Sequence, residues 1–188
     1  MSRVVTHGIS SNVLPRGLLS VGPCPKKKDV EGEVKLLTFY EYDVVVSMLT
    51  PEDVVTLGLQ DEGRLCRQYG MEYLNLPVPD QSPPPDTVAA TAFFKDLLLR
   101  YARGQRIYIH CMHGLGRAPS AVASVLVLMG MDVDESFEMV RQVRGYIQIT
   151  PGQREWVMGL KVGARPMGRP RCHLLGDHDC GDGSRCMW

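Results

Sequence analysis

The stretch HCMHGLGRAPS, residues 110–120, joins a predicted strand at Arg106–His110 to a predicted apolar helix at Ser120–Met129. A loop between a strand and a helix turns successive backbone N–H groups, together with the N-terminus of the helix, toward one point. Such a nest of donors binds anions, and Gly114 and Gly116 allow the close backbone approach that it needs. This stretch therefore predicts an α/β fold with an anion site where the loop meets the helix.

Two side chains give this loop its chemistry. Arg117 stands at the start of the helix, where its planar guanidinium is suited to bind two oxygens of one phosphate group. Cys111 stands at the floor of the loop, where N–H donors, the helix dipole and Arg117 favour its thiolate, the nucleophilic form of cysteine. Considered alone, a cysteine before a helix is more often a buried structural thiol. The complete pattern instead predicts a phosphate site with a nucleophile, formed by Met112, His113, Gly114, Leu115, Gly116 and Arg117 around Cys111.

Strand and helix signals alternate on both sides of this loop. Short apolar runs at Asp43–Leu49 and Glu72–Leu76 predict two further strands. Other patterns predict helices that begin at Thr50, Asp61, Asp86, Asp132 and Thr150. We therefore predict an α/β fold, a single domain with a central, mostly parallel sheet flanked by helices. Ligands of such sheets bind beyond the carboxyl ends of the strands, where the loops after Leu76 and His110 lie.

The length of 188 residues suits one domain, since domains commonly contain ~100–200 residues. We assign residues 1–163 to the folded domain. Residues 164–188 are rich in Gly, Pro, Arg and His and have little apolar periodicity, so they are predicted to form a flexible tail.

Charge and apolar content argue against some classes of partner. Lys plus Arg and Asp plus Glu both number 21, so the net charge is zero, whereas general nucleic-acid binders are usually basic. No nucleic-acid partner is therefore expected, and an anion would be bound by a local site. The longest mostly apolar run, 121–131, is shorter than the ~20 residues of a membrane-spanning helix. Six scattered cysteines and an N-terminus without an apolar leader favour a reducing, cytoplasmic location.

The pattern of His110, Cys111, Gly114, Gly116 and Arg117 resembles the signature loop of the cysteine-dependent protein tyrosine phosphatase superfamily. The mid-chain cysteine and the short chain are similar to the dual-specificity and related small phosphatases, and the resemblance extends over residues 14–160. It implies the phosphatase fold and a hydrolase that dephosphorylates phosphotyrosine, phosphoserine or phosphothreonine in proteins. It also implies a phosphocysteine intermediate on Cys111, a phosphorylated protein as partner, and no metal or other cofactor.

Phosphoryl transfer to Cys111 requires a proton for the leaving oxygen, which a carboxylic acid on another loop usually supplies. In the resembled family, this acid precedes the cysteine and often follows a proline. Asp80, in Pro77-Val78-Pro79-Asp80 after a predicted strand, fits that position. Asp80 is also compatible with a turn-forming role after proline. The other candidate acid, Asp86, is better placed as the N-cap of the next helix.

The resemblance implies roles for three further residues. His110 is expected to orient the loop rather than to act as a base. Gln153 corresponds to the residue that presents its amide to the attacking water in many relatives, but it is equally compatible with a capping-box partner of Thr150. Ala118 replaces the Ser or Thr that usually follows the signature arginine and steadies the departing thiolate. We therefore expect slow hydrolysis of the phosphoenzyme, which a burst experiment on Ala118→Ser tests.

The same cradle chemistry suits other phosphate esters. A phosphatase of phosphoinositide, glucan or RNA 5′ phosphates is one alternative, and a phosphate-binding pseudophosphatase is another. The joint presence of Cys111, Arg117 and Asp80 argues against the pseudophosphatase, because losing any one of them would suffice to abolish the chemistry. The patterns do not predict an oligomeric state.

Two weaker patterns stay open. Lys26–Lys28 predicts either a solvated loop or a surface that attracts an acidic substrate or a lipid head group. The tail contains Cys172, His173, His178, Cys180 and Cys186, whose spacing fits no compact zinc site. These thiols, or Cys66, are candidates for a protective disulfide with an oxidised Cys111.

Overall fold

The computed structural model describes residues 7–11, 17–160 and 170–173, which contain one sheet and the helices that cover it. The strands are β1 (His7–Ser11), β2 (Leu18–Pro23), β3 (Val44–Ser47), β4 (Glu72–Asn75), β5 (Arg106–Cys111) and β6 (Pro170–His173). The helices are α1 (Val30–Phe39), α2 (Pro51–Leu57), α3 (Glu62–Gln68), α4 (Thr87–Ala102), α5 (Arg117–Leu128), α6 (Val133–Arg144) and α7 (Pro151–Met158), and a 3₁₀ turn spans Lys27–Asp29.

The strands are arranged in the order β4-β3-β5-β2-β1-β6. The four strands from β4 to β2 run parallel, whereas β1 pairs antiparallel with both β2 and β6. The predicted α/β domain with a central, mostly parallel sheet is therefore confirmed. The three predicted strands correspond to β3, β4 and β5, and β5 lies between β3 and β2.

The sequence patterns do not predict β2 or α1. The apolar run of β2 is interrupted by Ser20, whose hydroxyl oxygen accepts a hydrogen bond from the Tyr42 hydroxyl at 2.6 Å. In α1, Gly32 disfavours the helix by ~1 kcal/mol relative to alanine. Both elements form because their apolar side chains, among them Leu19 in β2 and Leu37 in α1, are buried in the core. Tertiary packing thus outweighs weak local signals here.

Helix α5 is the central helix, and every residue from Arg117 to Leu128 is buried. It packs against β5 and β2 and against α4, α6 and α7, while α1 and α3 cover the opposite face of the sheet. The helix begins at Arg117, three residues before the predicted start at Ser120. Pro119 does not prevent this, because the N–H that proline lacks has no intrahelical partner in a first turn.

Four predicted helix starts are N-caps whose side chains accept backbone hydrogen bonds. They are Thr50, Asp86, Asp132 and Thr150. Thr50 and Thr150 each complete a reciprocal capping box, with Asp53 and Gln153 respectively. Thr50 follows β3 closely, so its capping box lies at the carboxyl edge of the parallel strands.

The described part of the chain contains no helix that is long and apolar enough to cross a membrane. Within the predicted tail, 164–188, the segment Pro170–His173 forms the edge strand β6. The other tail residues lie outside the described residues, so their flexibility stays a prediction.

Candidate active site

Cys111 is the last residue of β5 and lies at the carboxyl edge of the parallel strands. Its side chain is nearly buried, at 3% exposure. The loops that follow β2, β3 and β4 begin at the same edge, because these strands run parallel to β5. Segments that are distant in the sequence therefore surround Cys111, as expected for a ligand site in a parallel sheet.

The carbonyl groups of the loop 111–116 are bound from outside. At the start of the loop, the backbone N–H of Cys24 donates to the carbonyl oxygens of Cys111, at 2.7 Å, and Met112, at 3.3 Å. The Cys24 thiol also contacts the Met112 carbonyl oxygen, with Sγ at 3.5 Å. The chain after β2 thus supports the first two peptide groups of the loop.

The next carbonyl groups are bound from the end of α6. The guanidinium of Arg144 donates to the carbonyl oxygens of His113 and Gly114, at 3.1 and 3.2 Å. The backbone N–H of Gln148 donates to the carbonyl oxygen of Leu115 at 2.7 Å. In a trans peptide the C=O of one residue and the N–H of the next point in opposite directions. Carbonyl groups held outward therefore turn the N–H groups of the loop inward.

The inward N–H groups form the predicted anion cradle. Within residues 17–160, none of the hydrogen bonds of loops and turns uses the N–H of residues 112–116 as its donor. The carbonyl oxygen of Gly116 is bound by the N–H and the hydroxyl of Ser120, at 3.0 and 2.9 Å. Ser120 therefore supports the loop from inside α5, and Ala118 is fully buried in the core. The arrangement leaves a row of backbone donors directed at one point above Cys111.

Arg117 completes the cradle with a buried guanidinium, 2% exposed. Its Nη1 donates to the carboxylate of Asp53 at 2.5 Å and to the carbonyl oxygen of Val78 at 2.9 Å. Its Nη2 lies 3.3 Å from the carboxylate of Asp80, an ion pair without hydrogen-bond geometry. Buried Nε and Nη2 have no hydrogen-bond partner. These two donors lie on one edge of the guanidinium and match two oxygens of a phosphate.

Asp53 is a site residue that the sequence patterns do not identify. They place it only as an acid in the first turn of α2, where it forms the capping box with Thr50. In the fold, the same carboxylate fixes Arg117. Burial by itself raises the pKa of Asp53, but hydrogen bonds from Arg117 and from the Thr50 N–H lower it below its usual value. The sequence signal that could have identified Asp53 is a capping box with an acidic partner, which directly follows the strand β3.

Asp80 follows β4 and faces the cradle. It shares with Cys111 a cleft of about 220 Å³. The cleft is lined by Asp80, Gln81, Cys111, Met112, His113, Leu115, Gly116, Arg117, Gln148, Thr150 and Gln153. The other candidate acid, Asp86, caps α4 and accepts the Ala89 N–H at 2.9 Å. The structure therefore brings Asp80 to Cys111 and assigns Asp86 to the helix end.

His110 lies on the face of β5 opposite to Cys111, since successive strand residues alternate in direction. Its Nε2 is 3.0 Å from a carboxylate oxygen of Glu62, and both side chains are fully buried. His110 therefore does not line the cleft. Its orienting role stays a prediction. His113, by contrast, is exposed at the rim of the cleft.

Gln153 is buried, at 1% exposure, and its amide has two partners. Its oxygen accepts the Thr150 N–H at 3.1 Å, and its nitrogen donates to the Ser82 carbonyl oxygen at 3.3 Å. The capping role is thus present in the structure. The water-presenting role implied by the resemblance stays a prediction.

The weaker patterns lie away from the cleft. Lys26–Lys28 is exposed after β2 and does not line the cleft. Cys66 is a buried residue of α3, whereas Cys24 contacts the loop that follows Cys111. No cluster of His, Cys, Asp or Glu suited to a metal occurs in the part of the chain that the structure describes. The tail residues His178, Cys180 and Cys186 lie outside the described residues.

Comparison with known families shows a match that covers these elements. Residues 44–131 match the family described as "Tc-R-P: Polymorphic toxin system, DSP-PTPase phosphatase". This range extends from β3 to just beyond α5 and contains Asp53, Asp80, Cys111 and Arg117.

Two relatives are phosphatases whose names indicate a protein and a lipid substrate, respectively. Mouse protein tyrosine phosphatase type IVA 2 is 28% identical over 134 residues, which cover 65% of this chain and 78% of the relative. Phosphatidylglycerophosphate phosphatase PTPMT2 of Arabidopsis thaliana is 30% identical over 144 residues, which cover 74% of this chain and 58% of the relative.

Solved structures share the fold at lower identity. Kinase associated phosphatase, with its catalytic cysteine replaced by serine, superposes with a TM-score of 0.72 at 19% identity, covering 84% of this chain and 93% of that one. PTPMT1 in complex with PI(5)P gives a TM-score of 0.62 at 23% identity, with coverages of 74% and 86%. Together with the loop around Cys111, the sequence matches support the resemblance to the cysteine-dependent protein tyrosine phosphatase superfamily and to its phosphatases of dual-specificity type.

Proposed function

We propose that this phosphatase hydrolyses phosphate monoesters through a phosphocysteine intermediate on Cys111. One observation carries the proposal: inward N–H groups of the loop and two guanidinium donors of Arg117 that have no hydrogen-bond partner lie around Cys111, and Asp80 lines the same cleft. Backbone donors and a buried guanidinium stabilise the oxygens of a transferring phosphoryl group, because they are oriented before the reaction begins. The arrangement thus supplies a nucleophile, an oxyanion cradle and an acid.

The first step transfers the phosphoryl group to the enzyme. The Cys111 thiolate attacks phosphorus, the bond from phosphorus to the leaving oxygen breaks, and Asp80 gives that oxygen a proton. In the second step Asp80 takes a proton from water, the water oxygen bonds to phosphorus, and the S–P bond breaks to restore the thiolate. Arg117 and the loop N–H groups hold the other phosphate oxygens in both steps.

We propose phosphotyrosine, phosphoserine or phosphothreonine in proteins as the substrate. The similarity to protein tyrosine phosphatase type IVA 2 supports this choice. A lipid phosphate is the second candidate, supported by the similarity to a phosphatidylglycerophosphate phosphatase. Rates on phosphopeptides and on vesicles that contain phosphatidylglycerophosphate distinguish the two, and faster turnover of the vesicle substrate contradicts the protein choice.

The nucleophile is tested by Cys111→Ser. We expect activity on every ester to fall by about three orders of magnitude or more, as for the loss of other catalytic nucleophiles. In the wild type, acid quenching and peptide mass spectrometry are expected to find the phosphoryl group on Cys111. Cys66→Ser is the matched control, because Cys66 is a buried residue of α3 that does not line the cleft. Activity retained by Cys111→Ser would refute the mechanism.

A further inference from the structure

The loop that carries Asp80 is bound on both sides of that residue. Before Asp80, the N–H of Val78 donates to the Met48 carbonyl oxygen at 3.2 Å, and its own carbonyl oxygen accepts from Arg117 at 2.9 Å. After Asp80, the loop contacts the first turn of α7, which also lines the cleft. The backbone around the acid is therefore fixed by two separate elements, the cradle and α7.

The contacts to α7 come from its capping box. The Thr150 hydroxyl donates to the Gln81 carbonyl oxygen at 3.1 Å and also accepts the Gln153 N–H at 3.3 Å. The Gln153 side chain donates from Nε2 to the Ser82 carbonyl oxygen at 3.3 Å. One threonine and one glutamine thus cap α7 and bind two consecutive carbonyl groups of the acid loop.

The choice of glutamine has a physical consequence. A capping box is completed equally well by Glu or Gln, because only a side-chain oxygen is required. An ionised Glu has no donor, whereas the amide of Gln153 can cap α7 and still donate to Ser82. Gln153 therefore provides a contact to the acid loop that helix capping alone does not require.

The loop itself has a conformation that needs support. Gln81 has a φ of +55°, in the left-handed region that costs a non-glycine residue ~1–2 kcal/mol. The side chain of Asp80 is 62% exposed, so packing does little to fix it. Its position then depends on the ion pair with Arg117 and on the backbone at residues 81 and 82, where the α7 contacts lie.

We propose that Thr150 and Gln153 are positioning residues that latch the acid loop over the cradle, so that Asp80 stands ready before a substrate binds. The inference rests on the proposed function, in which Asp80 is the general acid. A general acid matters most when the leaving oxygen is a strong base, and matters least when the leaving group departs unprotonated. Loosening the latch therefore slows unactivated esters selectively.

The test compares Gln153→Glu and Thr150→Val on two esters. Phenyl phosphate has a basic leaving group, and 4-nitrophenyl phosphate has an activated one. We expect each variant to reduce kcat/KM for phenyl phosphate by about 3–10-fold more than for 4-nitrophenyl phosphate, which corresponds to the loss of one hydrogen bond. Because kcat/KM reports steps up to the phosphocysteine, a role of Gln153 in presenting water to that intermediate does not produce this difference.

Controls separate the latch from helix capping. Thr150→Ser keeps the hydroxyl and is expected to restore the wild-type ratio of the two rates. Asp132→Ala removes the N-cap of α6, away from the acid loop, and is expected to leave the ratio unchanged. An equal loss on both esters by Gln153→Glu and Thr150→Val, at intact folding by circular dichroism, would overturn the latch.

Asp80→Asn distinguishes the latch from the function on which it rests. If Asp80 is the acid, Asp80→Asn alone shows the selective loss, and adding Gln153→Glu to it produces no further selective loss. A further selective loss in the double variant overturns the latch. If Asp80→Asn shows no selectivity, the assignment of the acid fails first. If Asp80→Asn is selective and Gln153→Glu is not, only the latch fails.

Discussion

At the scale of single residues, Gly114 is the point where the cradle meets β2. Its φ is +68°, and a Cβ built there would lie 2.4 Å from the carbonyl carbon of Gly22 and 2.5 Å from its oxygen. Both the conformation and the space therefore require glycine. The sequence pattern identifies Gly114 as a loop glycine, but the backbone that it approaches belongs to a strand that the pattern does not predict.

We predict that Gly114→Ala destabilises the fold by about 2–4 kcal/mol, since strain in the left-handed region adds to overpacking against a backbone. Gly70→Ala is the control, because Gly70 has a φ of +82° and a Cβ added there would meet nothing within 4 Å. Gly70→Ala is expected to destabilise the fold by only the ~1–2 kcal/mol that a left-handed backbone costs alanine. Urea denaturation measures both, and equal costs would contradict the close approach to Gly22.

The carboxylate of Asp53 gives a pH dependence. Its pKa is below the unfolded value of 3.8, so the ionised form stabilises the fold. This stabilisation is complete above the unfolded pKa and is lost as the pH falls through the lower folded pKa. We expect the difference in free energy of unfolding between wild type and Asp53→Asn to shrink below pH 3.8. Glu52→Gln, an exposed neighbour, is the control, and a difference that does not change with pH would contradict the ion pair with Arg117.

At the scale of elements, the end of α6 binds the backbone of the loop that forms the anion cradle. Arg144 is the last residue of α6 and binds two successive carbonyl groups of the loop, those of His113 and Gly114. The helix thus fixes the direction of the peptide groups, although Arg144 itself does not line the cleft. The sequence patterns assign no role to Arg144.

We predict that Arg144→Met weakens the binding of vanadate, a phosphate analogue, by about 10–100-fold, because hydrogen bonds that involve a charged group contribute ~1.5–3 kcal/mol each. Arg141→Met removes the same charge from the same helix but breaks only an exposed ion pair with Glu138. Vanadate affinity of that variant is expected to stay within about twofold of wild type. Inhibition constants measure the vanadate affinity of both variants. An equal loss of affinity in the two variants would show that only the net charge matters, and would contradict the role of Arg144.

At the scale of the whole molecule, the fold separates the cysteines that the structure describes. Burial raises the pKa of Cys24 to about 12 and that of Cys66 to about 12, and the Glu62 carboxylate adds to both shifts. Cys111 instead lines the cleft. The net charge of zero is also compatible with phosphate binding, because Arg117 and the loop N–H groups, which attract the anion, are concentrated at one edge of the sheet.

We predict that iodoacetamide near neutral pH alkylates Cys111 faster than Cys24 or Cys66, because the thiolate is the reactive form and burial suppresses it at the other two. Vanadate is expected to protect Cys111, and unfolding in urea is expected to expose all three thiols. Peptide mass spectrometry over time measures each site. Alkylation of Cys24 or Cys66 in the folded protein as fast as that of Cys111 would contradict the separation.

The sequence by itself determined the features that lie within one continuous stretch. The strand end at Cys111, the glycines, Arg117 and the start of α5 occur in a single short segment, so their local geometry follows from neighbouring residues. The capping boxes at Thr50 and Thr150 are local for the same reason. The alternation of strands and helices then sufficed to predict a parallel arrangement of β3, β4 and β5 and the edge where the loops that carry Asp80 and Cys111 lie.

Only the tertiary structure decided which distant groups support that stretch. Asp53, Arg144 and the backbone of Cys24 reach the cradle from three separate loops or helix ends, and their roles depend on the strand order β3-β5-β2. The same applies to the second use of the α7 cap at Gln81 and Ser82. Local patterns specify backbone conformation, whereas contacts across a sheet edge depend on which strands lie side by side, and packing of the whole core sets that order.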